Sequence, residues 1–235
     1  MNRKLLIAAN WKMNEPPEGC FSENSPYRSQ SGVDVWVFPS FPDLHSAHAN
    51  GLVTGAQCGR SEGKGAFTGD VSMQMLSGQH YHAVLCGHSE RRKFHGETDE
   101  HVAAQVHAAQ DAGLVPVVCI GESAEERTSG NAQKKVQEQL KNISFPAVIA
   151  YEPVWAIGTG KSADPKDAQE MHAFIRSILP AGERDGTRIL YGGSVNEKNA
   201  AGFLAEPDID GFLVGGASLD PAAFGAIVAA AVKAA

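Results

Sequence analysis

The chain predicts an α/β protein folded as a closed (β/α)8 barrel, and three observations carry that expectation. Short runs rich in Val, Ile and Leu recur at 5–9, 33–38, 52–56, 83–86, 115–120, 147–151, 187–191 and 209–214. Most are apolar throughout, as strands covered on both faces are. Between most of them lie helix-like segments, 43–50, 71–76, 99–112, 124–142, 165–179, 196–205 and 220–233. This alternation implies parallel strands joined by right-handed crossovers. Finally, eight such units in 235 residues suit a closed barrel better than an open sheet. No linker or low-complexity tract divides the chain, so residues 1–235 are expected to form one domain.

The first crossover departs from the pattern. From Glu15 to Gly32 the chain reads EPPEGCFSENSPYRSQSG, with no apolar stripe at helical spacing. Its helix propensity is poor and Pro26 would break a helix there. The segment is expected to be irregular, with at most one helical turn.

Composition narrows the function classes. Apolar residues make up 43% of the chain and charged residues 20%, enough for a sizeable core. Twenty basic side chains against 27 acidic ones give a formal charge of −7, which argues against a nucleic-acid partner. An acidic protein also repels anions, so any phosphate site must rely on local donors. Cys20, Cys58, Cys86 and Cys119 show no C-x-x-C spacing, which fits free thiols in a reducing cytoplasm. The apolar run 5–9 is too short for a signal peptide or a membrane span, so no membrane partner is expected.

In α/β proteins the chemistry collects where strands end. The run 147–151 stops abruptly at Glu152-Pro153, followed by Val154-Trp155-Ala156-Ile157 and then Gly158-Thr159-Gly160-Lys161-Ser162. The proline and the glycines read as pivots of a stiff lid; an ordinary strand, a surface acid and a turn would look the same. The glycines mimic two nucleotide motifs. A phosphate-binding loop needs a Gly five places before Gly160, where Trp155 stands. In a dinucleotide fingerprint the glycines open the helix directly, whereas here Asp164-Pro165 is the better helix start.

Other strand ends offer partners. Strand one ends in Asn10-Trp11-Lys12-Met13-Asn14, and alternation puts Asn10 and Lys12 on one side. Strand four ends in Gly87-His88-Ser89-Glu90-Arg91-Arg92, where His88 is either a site residue or a loop histidine. The residues after it also suit a capped, ion-paired helix. Strands seven and eight end in Gly192-Gly193-Ser194 and Gly215-Gly216-Ala217-Ser218. Paired glycines let backbone N–H groups approach an anion closely, and two such turns in the last two units suit a phosphate site.

Taken together these stretches resemble the triosephosphate isomerase family. Asn-Trp-Lys-Met-Asn at 10–14, Gly-His-Ser-Glu-Arg-Arg at 87–92, Tyr-Glu-Pro-Val-Trp-Ala-Ile-Gly-Thr-Gly at 151–160, Tyr-Gly-Gly-Ser-Val at 191–195 and Leu-Val-Gly-Gly-Ala-Ser at 213–218 follow the family's order and rough spacing. The resemblance implies interconversion of dihydroxyacetone phosphate and glyceraldehyde 3-phosphate in the cytoplasm, without cofactor or metal. It implies Glu152 as the base, with His88, Asn10 and Lys12 facing an enediolate and Glu90 beside them. The N–H groups of Gly158, Ser194, Gly215 and Gly216 would hold the phosphate. Residues Pro153, Val154, Trp155, Ala156, Ile157, Gly158 and Thr159 would form the lid, latched by Tyr191 and Ser194.

The resemblance also implies a homodimer in which the loop 58–69 enters the partner's site, with Thr68 at its tip. Cys58 stands where the family usually has Asn, and the loop is unusually polar. Polar, flexible loops dock less tightly, so a weaker dimer is expected.

Overall fold

The computed structural model describes residues 3–156 and 163–235. Its strands are β1 (Leu5–Asn10), β2 (Val33–Phe38), β3 (Gly55–Ala56), β4 (Ala83–Cys86), β5 (Val115–Ile120), β6 (Val148–Tyr151), β7 (Ile189–Tyr191) and β8 (Gly211–Val214). They form one eight-stranded sheet in the order β2-β1-β8-β7-β6-β5-β4-β3, and every neighbouring pair runs parallel. The outer strands meet at Val37, whose N–H donates to the Val53 carbonyl at 2.9 Å and which bridges Thr54 in parallel. The sheet thereby closes into the expected barrel.

Alternation along the strands divides the core in two. Leu6, Ala8, Trp36, Phe38, Leu85, Val117, Ala150 and Leu190 fill the barrel interior. Their neighbours Ile7, Val35, Val84, Val118, Ile149 and Ile189 belong to the outer layer beneath the helices. Runs buried on both faces explain why these strands carry almost no polar residues.

The surrounding helices are α1 (Phe41–Ala49), α2 (Met73–Gly78), α3 (Ser89–His95), α4 (Asp99–Asp111), α5 (Ala124–Thr128), α6 (Ala132–Leu140), α7 (Pro165–Ile178), α8 (Ala200–Leu204) and α9 (Pro221–Ala234). Asp164 caps α7 by accepting from Lys166 N, and Pro165 follows at the first helical position, as the sequence suggested. Three expectations need correction. The segment 124–142 is two helices, because Gly130 takes φ 74° and ends the first. The segment 196–205 turns helical only at Ala200, since the Asn196 side chain first accepts from Lys198 N and Asn199 N. The strand expected at 52–56 is ordered as β only at Gly55–Ala56, with Thr54 contributing the closing bridge.

Between β1 and β2 no helix forms, as expected from the composition of that segment. Successive turns replace it, with Cys20 N donating to Pro17 O, Ser22 N to Gly19 O and Ser25 N to Ser22 O. The Arg28 guanidinium donates to the carbonyls of Phe21 and Ser22 within the segment and of Asn50 after α1, so one side chain ties the turns to the neighbouring helix end. Cys20 and Tyr27 are buried and cover the outer face of the first strands.

Candidate active site

Residues from β1, β4, β6, β7 and β8 meet at the strands' C-terminal ends around a cavity of about 270 Å³. Asn10, Lys12, His88, Glu152, Ser194, Gly215 and Gly216 all line it. Of the residues expected there, Ile157, Gly158 and Thr159 lie outside the described residues. A larger cleft of about 840 Å³ adjoins it along α3 and shares Lys12 and Glu152, but the paired glycines do not line it.

Glu152 directly follows β6 and is 2% exposed. Its Oε2 accepts from Ser89 N at 3.0 Å, and its Oε1 accepts from Ser89 Oγ at 3.3 Å and lies 3.1 Å from His88 Nε2. Two glycines leave room for this carboxylate. A Cβ on Gly121 would stand 1.8 Å from the Glu152 carbonyl oxygen, and one on Gly192 would stand 2.9 Å from Glu152 Cγ. The Glu152 N–H donates to Ile120 O at 2.7 Å, and Gly192 N donates to Tyr151 O at 2.7 Å, so the backbone on both sides is tied down. Burial first, and then the Glu152 charge, push the neighbouring Cys119 thiol well above its ordinary pKa. Cys119 is therefore no thiolate nucleophile.

His88 is the N-cap of α3, and its Nδ1 accepts from Glu90 N at 3.2 Å. A ring nitrogen that accepts carries no proton, which places the imidazole hydrogen on Nε2, aimed at Glu152. Lys12 has φ 53°, a conformation sparsely used outside glycine. It is held there because Lys12 N donates to Asn10 Oδ1 at 3.1 Å and Lys12 O accepts from Gln57 Nε2 at 2.7 Å. Its ammonium meets Glu90 Oε1 at 2.6 Å, so part of its charge is already answered.

The expected lid and the chain that follows it are each tied to β7 and its loop. Ser194 Oγ donates to Ala156 O at 2.8 Å, and Tyr191 Oη accepts from Ala163 N at 3.2 Å. Pro153 and Ala156 are buried while Val154 is exposed. The indole N–H of Trp155 donates to Glu122 Oε1 at 2.9 Å, and Tyr151 Oη donates to the same oxygen at 3.0 Å. Thr68 sits on an exposed loop and does not line the cavity of its own chain.

Reading the sequence for a site did not single out Ser89, whose position after a strand-end His suited a helix start equally well. Nor did it find the spacing roles of Gly121 and Gly192, or the grip of Gln57 on Lys12. Isolated glycines and a lone amide carry no local signal of what they approach.

The triosephosphate isomerase family model matches residues 5–231. The chain is 46% identical over 251 residues to triosephosphate isomerase of Thiobacillus denitrificans, covering 98% of this chain and 100% of that protein. It is 44% identical over 256 residues to the enzyme of that name from Paracidovorax citrulli, covering 98% and 100%. Against that of Histophilus somni it is 43% identical over 253 residues, covering 100% and 99%.

Proposed function

The chain belongs to the triosephosphate isomerase family, and on that premise we propose that it interconverts dihydroxyacetone phosphate and D-glyceraldehyde 3-phosphate, with Glu152 as the proton carrier. The observation that carries the residue assignment is the approach of His88 Nε2 to Glu152 Oε1 within one cavity that also holds Lys12 and two pairs of glycines.

The reaction moves a carbonyl by one carbon. Glu152 takes a proton from the carbon beside the substrate carbonyl, the electron pair of that C–H bond forms the enediol double bond, and the carbonyl oxygen becomes an oxyanion. The Glu152 carboxylic acid then protonates the neighbouring carbon, while the proton of the adjacent hydroxyl passes to the oxyanion, so that the hydroxyl oxygen becomes the new carbonyl, the former carbonyl oxygen becomes the hydroxyl, and no redox partner is needed. His88 Nε2–H, the Asn10 amide and the Lys12 ammonium donate toward the enediolate oxygens. Before acting as base, Glu152 has to release the donors that hold it in the structure, Ser89 and His88. His88 can then turn its Nε2–H from the carboxylate to the substrate.

The phosphate is held by the N–H groups of Ser194, Gly215, Gly216 and Gly158. With Glu90 and Glu152 both near Lys12, side-chain charge alone gives a dianion little net attraction, so backbone donors dominate its binding. The enediolate phosphate expels phosphate readily in water, which is the reason for a lid from Pro153 to Thr159 that excludes solvent. Tyr191 and Ser194 suit its latches, since Ser194 already binds Ala156 within that segment and Tyr191 binds Ala163 beyond it.

The protein works as a cytoplasmic homodimer. The segments that follow β1, β2, β3 and β4 each expose a large apolar side chain, Met13, Phe41 at the start of α1, Phe67 and Phe94 in α3, which supports a second copy covering that side. The loop that carries Thr68 is polar, and its Arg60 is already occupied by Asp70 at 2.7 Å and by the Phe67 ring at 3.6 Å. Contacts spent within one chain leave fewer for the partner, in keeping with a weaker dimer. A coupled assay with glyceraldehyde 3-phosphate tests the activity. Turnover of a longer sugar phosphate in preference to it would move the reading to another isomerase on the same barrel.

A further inference from the structure

We propose that Tyr27, in the helix-free first crossover, is a positioning residue for the phosphate-binding end of β8. The inference rests on the reading of Gly215 and Gly216 as phosphate donors given above.

The Tyr27 side chain is fully buried, and its hydroxyl donates to the Ser218 carbonyl at 2.7 Å across 191 residues of sequence. Ser218 belongs to the short 3₁₀ turn Gly216–Leu219, and its N–H closes that turn onto Gly215 O at 2.8 Å. Its Oγ donates to Asn10 O at 3.4 Å. Tyr27 thus holds the far side of the turn that begins at Gly215 and Gly216, both of which line the cavity, while Ser218 Oγ ties the same turn to the end of β1. Gly215 in turn lies against Lys12, since a Cβ there would come 3.3 Å from Lys12 Cε.

The ring does a second job. It stacks on Phe224 at 4.7 Å between centroids with an 11° interplanar angle, next to the first turn of α9. It also meets Trp11, the residue before Lys12, edge-on at 5.4 Å and 87°. One side chain therefore touches the approach to Lys12, the carbonyl side of the β8 turn and the start of the next helix. Aromatic packing of this kind adds to area burial, and the hydroxyl fixes the rotation of the ring. Local sequence offers no other anchor of this sort between Glu15 and Gly32, where turns replace a helix. Donors bind an anion well only when held in place before it arrives. Loss of the Tyr27 hydroxyl leaves a buried carbonyl without its donor and lets the turn shift to find another.

The test compares Tyr27→Phe with Ile227→Val, a core change in α9 that loosens packing without touching the turn. Competitive inhibition by inorganic phosphate, KM and kcat for glyceraldehyde 3-phosphate, and Tm are measured for each. Tyr27→Phe is expected to raise the phosphate Ki and KM together by about threefold to tenfold, with kcat changed by less than KM. Ile227→Val should lower Tm and leave the phosphate Ki unchanged. An unchanged Ki in Tyr27→Phe overturns the inference, and so does an equal rise in both variants, since that reports general loosening. Wild-type turnover without competition by phosphate overturns the phosphate reading itself, and a competed wild type with an unaltered Tyr27→Phe overturns only the role of Tyr27.

Discussion

His88 Nε2 stands 3.1 Å from Glu152 Oε1, although the two residues come from the ends of β4 and β6, with β5 between them. Gly121, after β5, lets the Glu152 backbone take this place, since a Cβ there would stand 1.8 Å from the Glu152 carbonyl oxygen. The residues proposed as proton carrier and electrophile thereby stand within one hydrogen bond of each other before substrate binds.

Gly121→Ala should be severe. The new Cβ would overlap the Glu152 carbonyl oxygen, a backbone atom that cannot swing aside. Displacing a reacting group by about 1 Å can cost on the order of 10²-fold in rate, and the overlap itself costs about 1–3 kcal/mol of stability. Steady-state kinetics on the folded fraction, with thermal melts alongside, read both. A fully active Gly121→Ala would show that Glu152 does not need its observed position.

Lys12→Met should lower kcat/KM by about 10²–10³, the usual loss when a positioned charge-stabilising donor is removed. Stability should change by less than about 1 kcal/mol, because the Lys12–Glu90 pair is partly exposed and such pairs contribute little. Kinetics and chemical denaturation on one preparation separate the two effects.

Asp210→Asn should do the reverse. Asp210 accepts from Arg3 Nε at 2.6 Å, from Arg176 at 2.7 Å and from Ile189 N at 2.8 Å, at the start of β8, away from the cavity. Losing the charge leaves Arg3 without its carboxylate and Arg176 paired with Asp208 alone, at a cost of about 1–3 kcal/mol. Tm should fall by roughly 5 °C while KM stays within twofold. A large KM change would contradict this separation of the two barrel ends.

Acid should weaken the fold through His172. Burial, the largest cause, pushes its pKa down from 6.5 to about 4. The unfolded chain therefore binds a proton that the folded chain refuses between those values. Stability is full above pH 6.5, falls as pH drops toward 4, and the loss is complete below that. The difference is on the order of 3 kcal/mol. Burial also lowers the His82 pKa, so its contribution has the same sign. Urea denaturation at pH 7 and pH 4.5 should show the fall, and His172→Asn should remove most of it.

A sedimentation concentration series should show dissociation into monomers above nanomolar concentration, given the polar loop that carries Thr68. Persistence of dimer down to nanomolar protein would end the claim of a weakened interface.

The barrel was legible because its strands are buried on both faces, so each run is apolar by necessity. The missing first helix was equally legible, since the segment has no apolar stripe at helical spacing and Pro26 would break a helix in its middle. The split between α5 and α6 was not, because Gly130 inside a good helical pattern reads as a tolerated defect. At the site, strand ends and paired glycines exposed Glu152, His88, Lys12 and the β7 and β8 turns. Ser89 and Tyr27 stayed hidden for a physical reason: each acts on a residue far away in sequence, 63 positions for one and 191 for the other. Only closure of the barrel brings those partners together.

The central claim is that Glu152 carries the proton. Wild-type protein and Glu152→Gln, which keeps the shape and removes the base, should be compared in a coupled assay with glyceraldehyde 3-phosphate. The account predicts wild-type turnover and a loss in kcat of about 10²–10⁴ in the variant. A loss below tenfold would contradict it and take Glu152 out of that role.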